Sequence, residues 1–257
     1  MPAHITITAL DGFPLVQPGD DLPALILDAL AANSLTLQDG DVLVVAHKVV
    51  SKAEGRLIRL ADVVPSPEAD ALARETGKDP RFLELVLRES REIVRTRPGL
   101  VIAEHRHGWI CANAAIDRSN VQQGDDGDDY VLLLPKDPDA SARMIRQRLQ
   151  EATGATIAVI INDTHGRPFR IGAMGVAIGV AGLAPVSDLR GEKDLFGYTM
   201  QTSEIATADE LAAAASLLQG QTAQGRPVVL IRGAHYQPDE QATARQLVRP
   251  RELDLFR

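Results

Sequence analysis

The sequence has little cysteine: Cys111 stands alone among 257 residues. An internal disulfide is therefore impossible, and there is no Cys/His zinc set. Cys111 lies in an apolar run, where packing explains it better than nucleophilic chemistry. Basic residues are outnumbered, 27 against 35 acidic ones, for a net charge of −8 and a pI near 5.3. That balance argues against a general nucleic-acid or membrane-surface binder, yet it leaves room for a local basic pocket around a phosphorylated ligand. Long apolar runs are missing too. None approaches the ~20 residues a membrane span needs, and Met1 to Leu10 lack the basic-then-apolar order of a secretory signal. A reduced, cytoplasmic setting is the expectation. The usual phosphate-binding glycine loops are also absent: no G-x-x-x-x-G-K-[ST] occurs, and no G-x-G-x-x-G follows a strand. Internal repeats are not found.

What is there is an ordinary globular composition, 45% hydrophobic and 24% charged, able to bury a large core. Strands are expected at Ile5 to Ala9, Val42 to Ala46, Leu100 to Ala103, Trp109 to Ala112, Tyr130 to Leu134, Ile157 to Ile161 and Val228 to Ile231. Helices are expected at Leu22 to Ala32, Glu68 to Thr76, Pro80 to Val94, Ala140 to Thr153 and Ala206 to Leu218, with Asp20 or Asp21, Asp79, and the Pro135 to Asp139 stretch as caps and Gly154 as a stop. His105 and His107 sit in a hairpin turn and are expected to be exposed. Gln122 to Asp129 reads as a solvated acidic loop without the EF-hand spacing. Asp188 to Tyr198 is a polar loop able to cover a pocket, and the tail from 234 to 257 is expected to be polar and helical. Strands and helices alternate irregularly, which indicates an α+β fold with mixed sheets, not a regular doubly wound one.

Chemistry concentrates in V-I-I-N-D-T-H-G-R-P-F-R-I-G, Val159 to Gly172. A buried strand ending in Asp163 and Thr164 presents two oxygen ligands of the kind Mg²⁺ or Mn²⁺ prefers; a plain turn or helix cap is the alternative reading. Arg167 and Arg170 follow within one expected loop and offer forks for phosphate or carboxylate oxygens. Three further stretches bear on the same chemistry. Gly12 to Val16 is a turn whose backbone can face a ligand, although pattern alone favours a simple connection. Val42 to Ala46 runs into His47, Lys48, Ser51 and Lys52, either a ligand-facing edge or a solvated loop. Asp117, with Ser119 and Asn120, is a second candidate oxygen ligand remote in sequence from Asp163, and the sequence alone does not pair the two.

These stretches, with others in the same order, carry a family resemblance. They are D-G-F-P-L-V-Q-P-G-D-D-L at Asp11, D-G-D-V-L-V-V-A-H-K-V-V-S-K-A-E-G-R at Asp39, A-A-I-D-R-S-N-V at Ala114, L-L-P-K-D-P-D-A-S-A at Leu133, V-I-I-N-D-T-H-G-R-P-F-R at Val159, G-E-K-D-L-F-G at Gly191 and A-D-E-L-A-A-A-A at Ala208. Together they resemble the coenzyme F420-0:L-glutamate ligases over nearly the whole chain. The resemblance implies a ligase domain over residues 1–233, built from two intertwined subdomains, and a homodimer. It implies GTP as phosphoryl donor, a pair of divalent cations (Mg²⁺ or Mn²⁺) with K⁺ as a further candidate, and coenzyme F420-0 and L-glutamate as the other substrates. It implies that Asp117, Asp163 and Thr164 hold the divalent cations. Phe13, Pro14, Leu15, Val16, His47, Lys52 and Asn120 are the implied nucleotide contacts. The family often has Ser where this chain has His47. Some members carry a C-terminal flavin-binding reductase-like domain; with its end at Arg257, the chain is expected to lack that second activity. Lys52, Arg167 and Arg170 are candidate electrostatic catalysts, and no general base for the glutamate amine is evident. A metal-dependent phosphohydrolase using the same aspartates is the alternative enzyme, and a catalytically silent nucleotide-binding subunit the alternative of another class.

Overall fold

Continuous apolar runs such as V-L-V-V-A and A-V-I-I require cover on both faces of a strand. The structure, a computed structural model describing residues 4–124 and 129–255, supplies it. In chain order the first half comprises β1 (Thr6–Ala9), α1 (Leu22–Ala32), β2 (Val42–Ala46), α2 (His47–Ala53), β3 (Leu57–Arg59), α3 (Pro67–Thr76), α4 (Pro80–Glu89), β4 (Ser90–Arg97), β5 (Leu100–His105) and β6 (Ile110–Ala112). The second comprises β7 (Tyr130–Leu132), α5 (Pro138–Thr153), β8 (Ala158–Arg167), β9 (Arg170–Ala181), β10 (Ser187–Asp188), β11 (Glu204–Ile205), α6 (Thr207–Gln219) and β12 (Val228–Arg232). The central sheet has the order β1-β12-β2-β8-β9; β2 and β8 are parallel, and the other neighbours are antiparallel. Alternation along the strands sends Leu43, Val45, Val159 and Ile161 into a core with α1 and α5. Val42, Val44, Ala158 and Ile160 go to the opposite core, under α6. A second lobe packs α3 and α4 on the β4-β5-β6 sheet, around Phe82, Leu83, Val86, Val101 and Ala103. The α+β expectation with mixed and antiparallel sheets holds. No helix among the described residues is long and apolar enough to cross a membrane.

Local chemistry sets most boundaries. Asp21, Asp79 and Asp137 accept hydrogen bonds from the first turns of α1, α4 and α5, and Gly154 ends α5 at φ 74°. Four expectations need correction. The helix expected through Val94 stops at Glu89, because Ser90 leaves helical geometry and Ser90 to Arg97 pairs with β5 instead. The stretch after Val42 to Ala46 is helix α2, not a loop. The strand expected to end at Ile161 continues to Arg167, since its outer half pairs with β9. The tail is not helical beyond short 3₁₀ turns at Ala244–Leu247 and Arg251–Leu253. It is instead strapped across both lobes: Asp139 accepts from the backbone N–H of Ala244 (2.9 Å), Arg146 forks onto Glu240 (2.6 and 2.7 Å) and Arg245 donates to the His107 carbonyl (3.0 Å). The acidic loop assigned to Gln122 to Asp129 lies in part, at 125–128, outside the described residues.

That strap explains a further correction. His105 is fully buried and His107 half-buried, packed with Trp109 in the turn between β5 and β6. Burial is the main force holding both imidazoles below their ordinary value of 6.5, His107 at about 4. The unfolded chain therefore binds more protons than the folded one below pH 6.5, and stability falls as the pH drops from there towards 4. Thermal unfolding should show a lower midpoint at pH 5 than at pH 7, and His107→Gln should flatten the difference. An unchanged slope in that variant would remove His107 as the cause.

Candidate metal and nucleotide site

The parallel pairing of β2 with β8 stops at Ala46 opposite Asn162, so the residues that follow on the two segments leave it side by side. On one strand these are His47 and Lys48, opening α2; on the other they are Asp163, Thr164 and His165. The third contribution comes from the other lobe. Asp117 is fixed by a two-way backbone bridge to Leu132 (3.0 and 2.9 Å), following a turn in which Asn113, Ala114 and Ala115 all take positive φ, 52° to 54°. Left-handed backbone costs a residue with a Cβ about 1–2 kcal/mol; three in succession mark a segment held in place by its surroundings.

The three elements converge on His47. Its Nε2 lies 3.0 Å from Asp117 Oδ2 and 3.2 Å from Asp163 Oδ1. Ligand atoms from all three residues fall within 4.8 Å of one another. The Lys48 ammonium donates to Asp117 Oδ2. Asp163 Oδ1 also accepts from the Thr164 N–H (2.6 Å), and Oδ2 pairs with His165 Nε2 (3.0 Å). Burial opposes charge on every member, but the members charge one another. The His47 imidazole is pushed up to about 9 by Asp163 and Asp117, against its burial. Asp163 is held well below the usual carboxylate value, chiefly by His47 and His165, and Asp117 below it by His47 and Lys48. Both carboxylates are thus ionised at neutral pH. Two anionic carboxylates within reach of each other form a donor set that suits a hard divalent cation.

Strand alternation divides the expected ligands. Asp163 faces His47 and Asp117, whereas Asn162 and Thr164 turn to the α6 side, where they meet Gln219 (2.8 Å) and Gln221 (3.1 Å). The Asp163 carboxylate and the Thr164 hydroxyl therefore serve two separate positions. Lys52 lies one turn beyond Lys48 on α2, half-buried, its ammonium held below the ordinary value by burial and then by Lys48. In the Gly12 to Val16 turn the Phe13 and Val16 side chains belong to the core, leaving Pro14 and Leu15 exposed. Asn120 is exposed at φ 56°. Arg167 and Arg170 are not brought to the carboxylates. They face each other at the tip of the β8–β9 hairpin, about 13 Å along an extended strand from Asp163. Two participants escaped sequence reasoning, Lys48 as the Asp117 partner and His165 as the Asp163 partner; their only signal was adjacency to residues already singled out. Cys111 is buried, its thiol pushed up to about 12 by burial and by Asp163, which leaves it unreactive.

Residues 12–233 match the F420-0:gamma-glutamyl ligase family. The chain belongs to that family. Its similarity to individual members is extensive. It is 52% identical to the coenzyme F420:L-glutamate ligase of Methanothermobacter thermautotrophicus over 256 residues, covering 98% of this chain and 99% of the relative. The enzyme of the same name from Methanopyrus kandleri is 48% identical, with 94% of this chain and 93% of the relative covered. That from Methanocaldococcus jannaschii is 45% identical, with 86% of each covered. The family match includes both lobes, and so all of His47, Asp117, Asp163 and Thr164.

Proposed function

We propose that this protein is a GTP-dependent ligase that joins the amine of L-glutamate to the carboxylate of coenzyme F420-0, releasing GDP and phosphate. The observation that carries the proposal is the meeting of the Asp117 and Asp163 carboxylates, from different lobes, at the end of a parallel strand pair, in a chain of this ligase family. A carboxylate is a poor electrophile because its leaving group would be oxide. Transfer of the γ-phosphoryl group from GTP to an acceptor oxygen gives an acyl phosphate and GDP. Attack by the glutamate amine then forms the amide, and the acyl C–O bond breaks to release inorganic phosphate, with one amine proton lost to solvent or a base.

In this reading Asp117 and Asp163 hold one divalent cation, and Thr164, on the other face of β8, serves a second. Bound there, Mg²⁺ or Mn²⁺ would neutralise charge on phosphate oxygens. The protein's own part is mainly positioning. Lys48 and Lys52 present two cations on one helix face near the carboxylates, and the turn from Phe13 to Val16, with Asn120, supplies nucleotide contacts. His47 acts in this reading through the carboxylates it touches, as a neighbour of the cation. Arg167 and Arg170, at the hairpin tip, serve substrate acid groups or the partner subunit of a homodimer. In this reading the reaction runs in the cytoplasm, where GTP and glutamate are supplied.

The test is incubation with coenzyme F420-0, GTP, L-glutamate and Mg²⁺ or Mn²⁺. Mass spectrometry should show the acceptor gaining a glutamyl unit, with GDP formed only when all components are present. Phosphate release from a phosphorylated small molecule without GTP or glutamate would instead identify a phosphohydrolase. Nucleotide binding without any product would identify a silent subunit.

A further inference from the structure

The second lobe holds a cavity lined by none of the residues given a role in the reaction above. It has a volume of about 450 Å³, within the range of small-molecule sites. Its walls include Lys78, Asp79 and Phe82 at the corner between α3 and α4, Asn113 from the left-handed turn, and Arg118 and Asp129. Both cations lie over the same buried ring: the Lys78 ammonium is 5.2 Å and the Arg118 guanidinium 5.3 Å from the Phe82 centroid. Two like charges on one ring are costly unless an anion lies near.

The nearby carboxylates offset this only in part. Asp79 is committed to Arg81, which adds a positive charge of its own, through contacts of 2.6 to 3.2 Å. Asp129 stands 3.6 Å from Arg118, both half-exposed. Lys78 donates to the Gly99 carbonyl at 3.2 Å, which satisfies one proton and no charge. Burial first, and Arg118 second, hold the Lys78 ammonium below its ordinary value. Asn113 adds a buried Oδ1 without a hydrogen-bond partner. A phosphate group answers each feature: anionic oxygens for Lys78 and Arg118, and, when singly protonated, an O–H for the amide oxygen.

We propose that this cavity is a second anion site, built for the phosphate group of a small molecule and distinct from the carboxylate cluster. Asn113 and Arg118 flank Asp117 on one short segment, so an occupant of the cavity also braces the turn that aims Asp117. The phosphate source is either one of the ligase substrates or a free phosphorylated compound.

Pyrophosphate titrated calorimetrically into metal-free protein tests the site without turnover. Lys48 and Lys52 beside the carboxylate cluster can also take pyrophosphate, so the component of the signal lost in Lys78→Gln, not the total, reports this cavity. Lys78→Gln should weaken binding at least tenfold and Lys78→Arg should retain it, with both variants checked for a wild-type unfolding midpoint. Absence of binding to wild type at millimolar pyrophosphate, or equal binding to Lys78→Gln, overturns the proposal. Because no turnover is needed, this outcome is separate from failure of the ligase reading. In the complete reaction, a KM raised tenfold for a single substrate in Lys78→Gln assigns the phosphate to that substrate. Unchanged KM values alongside lost pyrophosphate binding assign it to a free ligand.

Discussion

Asp163→Asn lowers kcat at least 10³-fold, and Asp117→Asn does nearly the same, while both variants remain folded. The size follows from what is removed. Each substitution leaves shape and most hydrogen-bonding capacity intact but deletes a charge from a site whose task is to gather cations. Asp163 is the more sensitive position. Its side chain is only 11% exposed, and its carboxyl is held well below the usual range, so it is anionic throughout the working pH range. A loss of about 4 kcal/mol of transition-state stabilisation corresponds to ~10³ in rate, which is within what metal-assisted charge neutralisation supplies. The fold should tolerate the change: an amide oxygen at 163 still accepts the Thr164 N–H, and its NH₂ can donate to His165 Nε2. Steady-state kinetics at several Mn²⁺ concentrations, with circular dichroism of the same samples, decide the matter. Near-wild-type kcat at limiting metal in either variant would remove that residue from the ligand set.

How far this site could be read in advance differs residue by residue. Strand β8 announced itself through its apolar run, and Asp163 through its place at the end of that run. That Asp117 would stand beside it could not come from pattern, because the two residues belong to different lobes and meet at His47; family resemblance made that link. His47 was singled out for nucleotide contact, yet its imidazole lies between the carboxylates, since α2 starts directly at the end of β2 with no intervening loop. Helix α4 shows the limit of periodicity. Leu83, Val86 and Leu87 continue plausibly into Ile93 and Val94, and only pairing with β5, invisible to a local window, turns that continuation into a strand. The tail failed for a related reason. Its polar composition suggested a solvated helix, whereas its order comes from partners far away in sequence, Asp139, Arg146 and His107.

Gly175→Val should prevent accumulation of folded protein, and Gly175→Ala should yield a folded but weakened enzyme. The glycine-rich sequence of β9 permits close packing, and the structure gives the contact. A Cβ built on Gly175 would lie 2.4 Å from the Ala212 carbonyl oxygen of α6 and 2.9 Å from Ser216 Cβ. The obstacle is helix backbone, which cannot rotate away as a side chain can. Four residues further on, a Cβ on Gly179 would meet the Pro138 carbonyl oxygen of α5 at 2.5 Å. Two residues on one strand four apart would normally share a face. Here β9 advances two residues, from Ala177 to Gly179, while β8 advances one, from Asn162 to Ile161, and this bulge exchanges the faces between them. Overpacking of this kind costs about 1–3 kcal/mol for one methyl, so both alanine variants should show lower unfolding midpoints. Their activities should separate. Gly175 pairs directly with Thr164, beside Asp163, so forcing β9 away from α6 shifts the outer half of β8. A misplacement of about 1 Å there is enough for a ~10²-fold fall in kcat. Gly179 pairs with Ile161 and presses on α5, which contributes none of the cation-facing side chains. Its alanine variant should lose stability yet keep kcat within a few-fold per folded molecule. Equal falls in kcat for the two, or a wild-type midpoint for Gly175→Ala, would show that the sheet yields more easily than this packing allows.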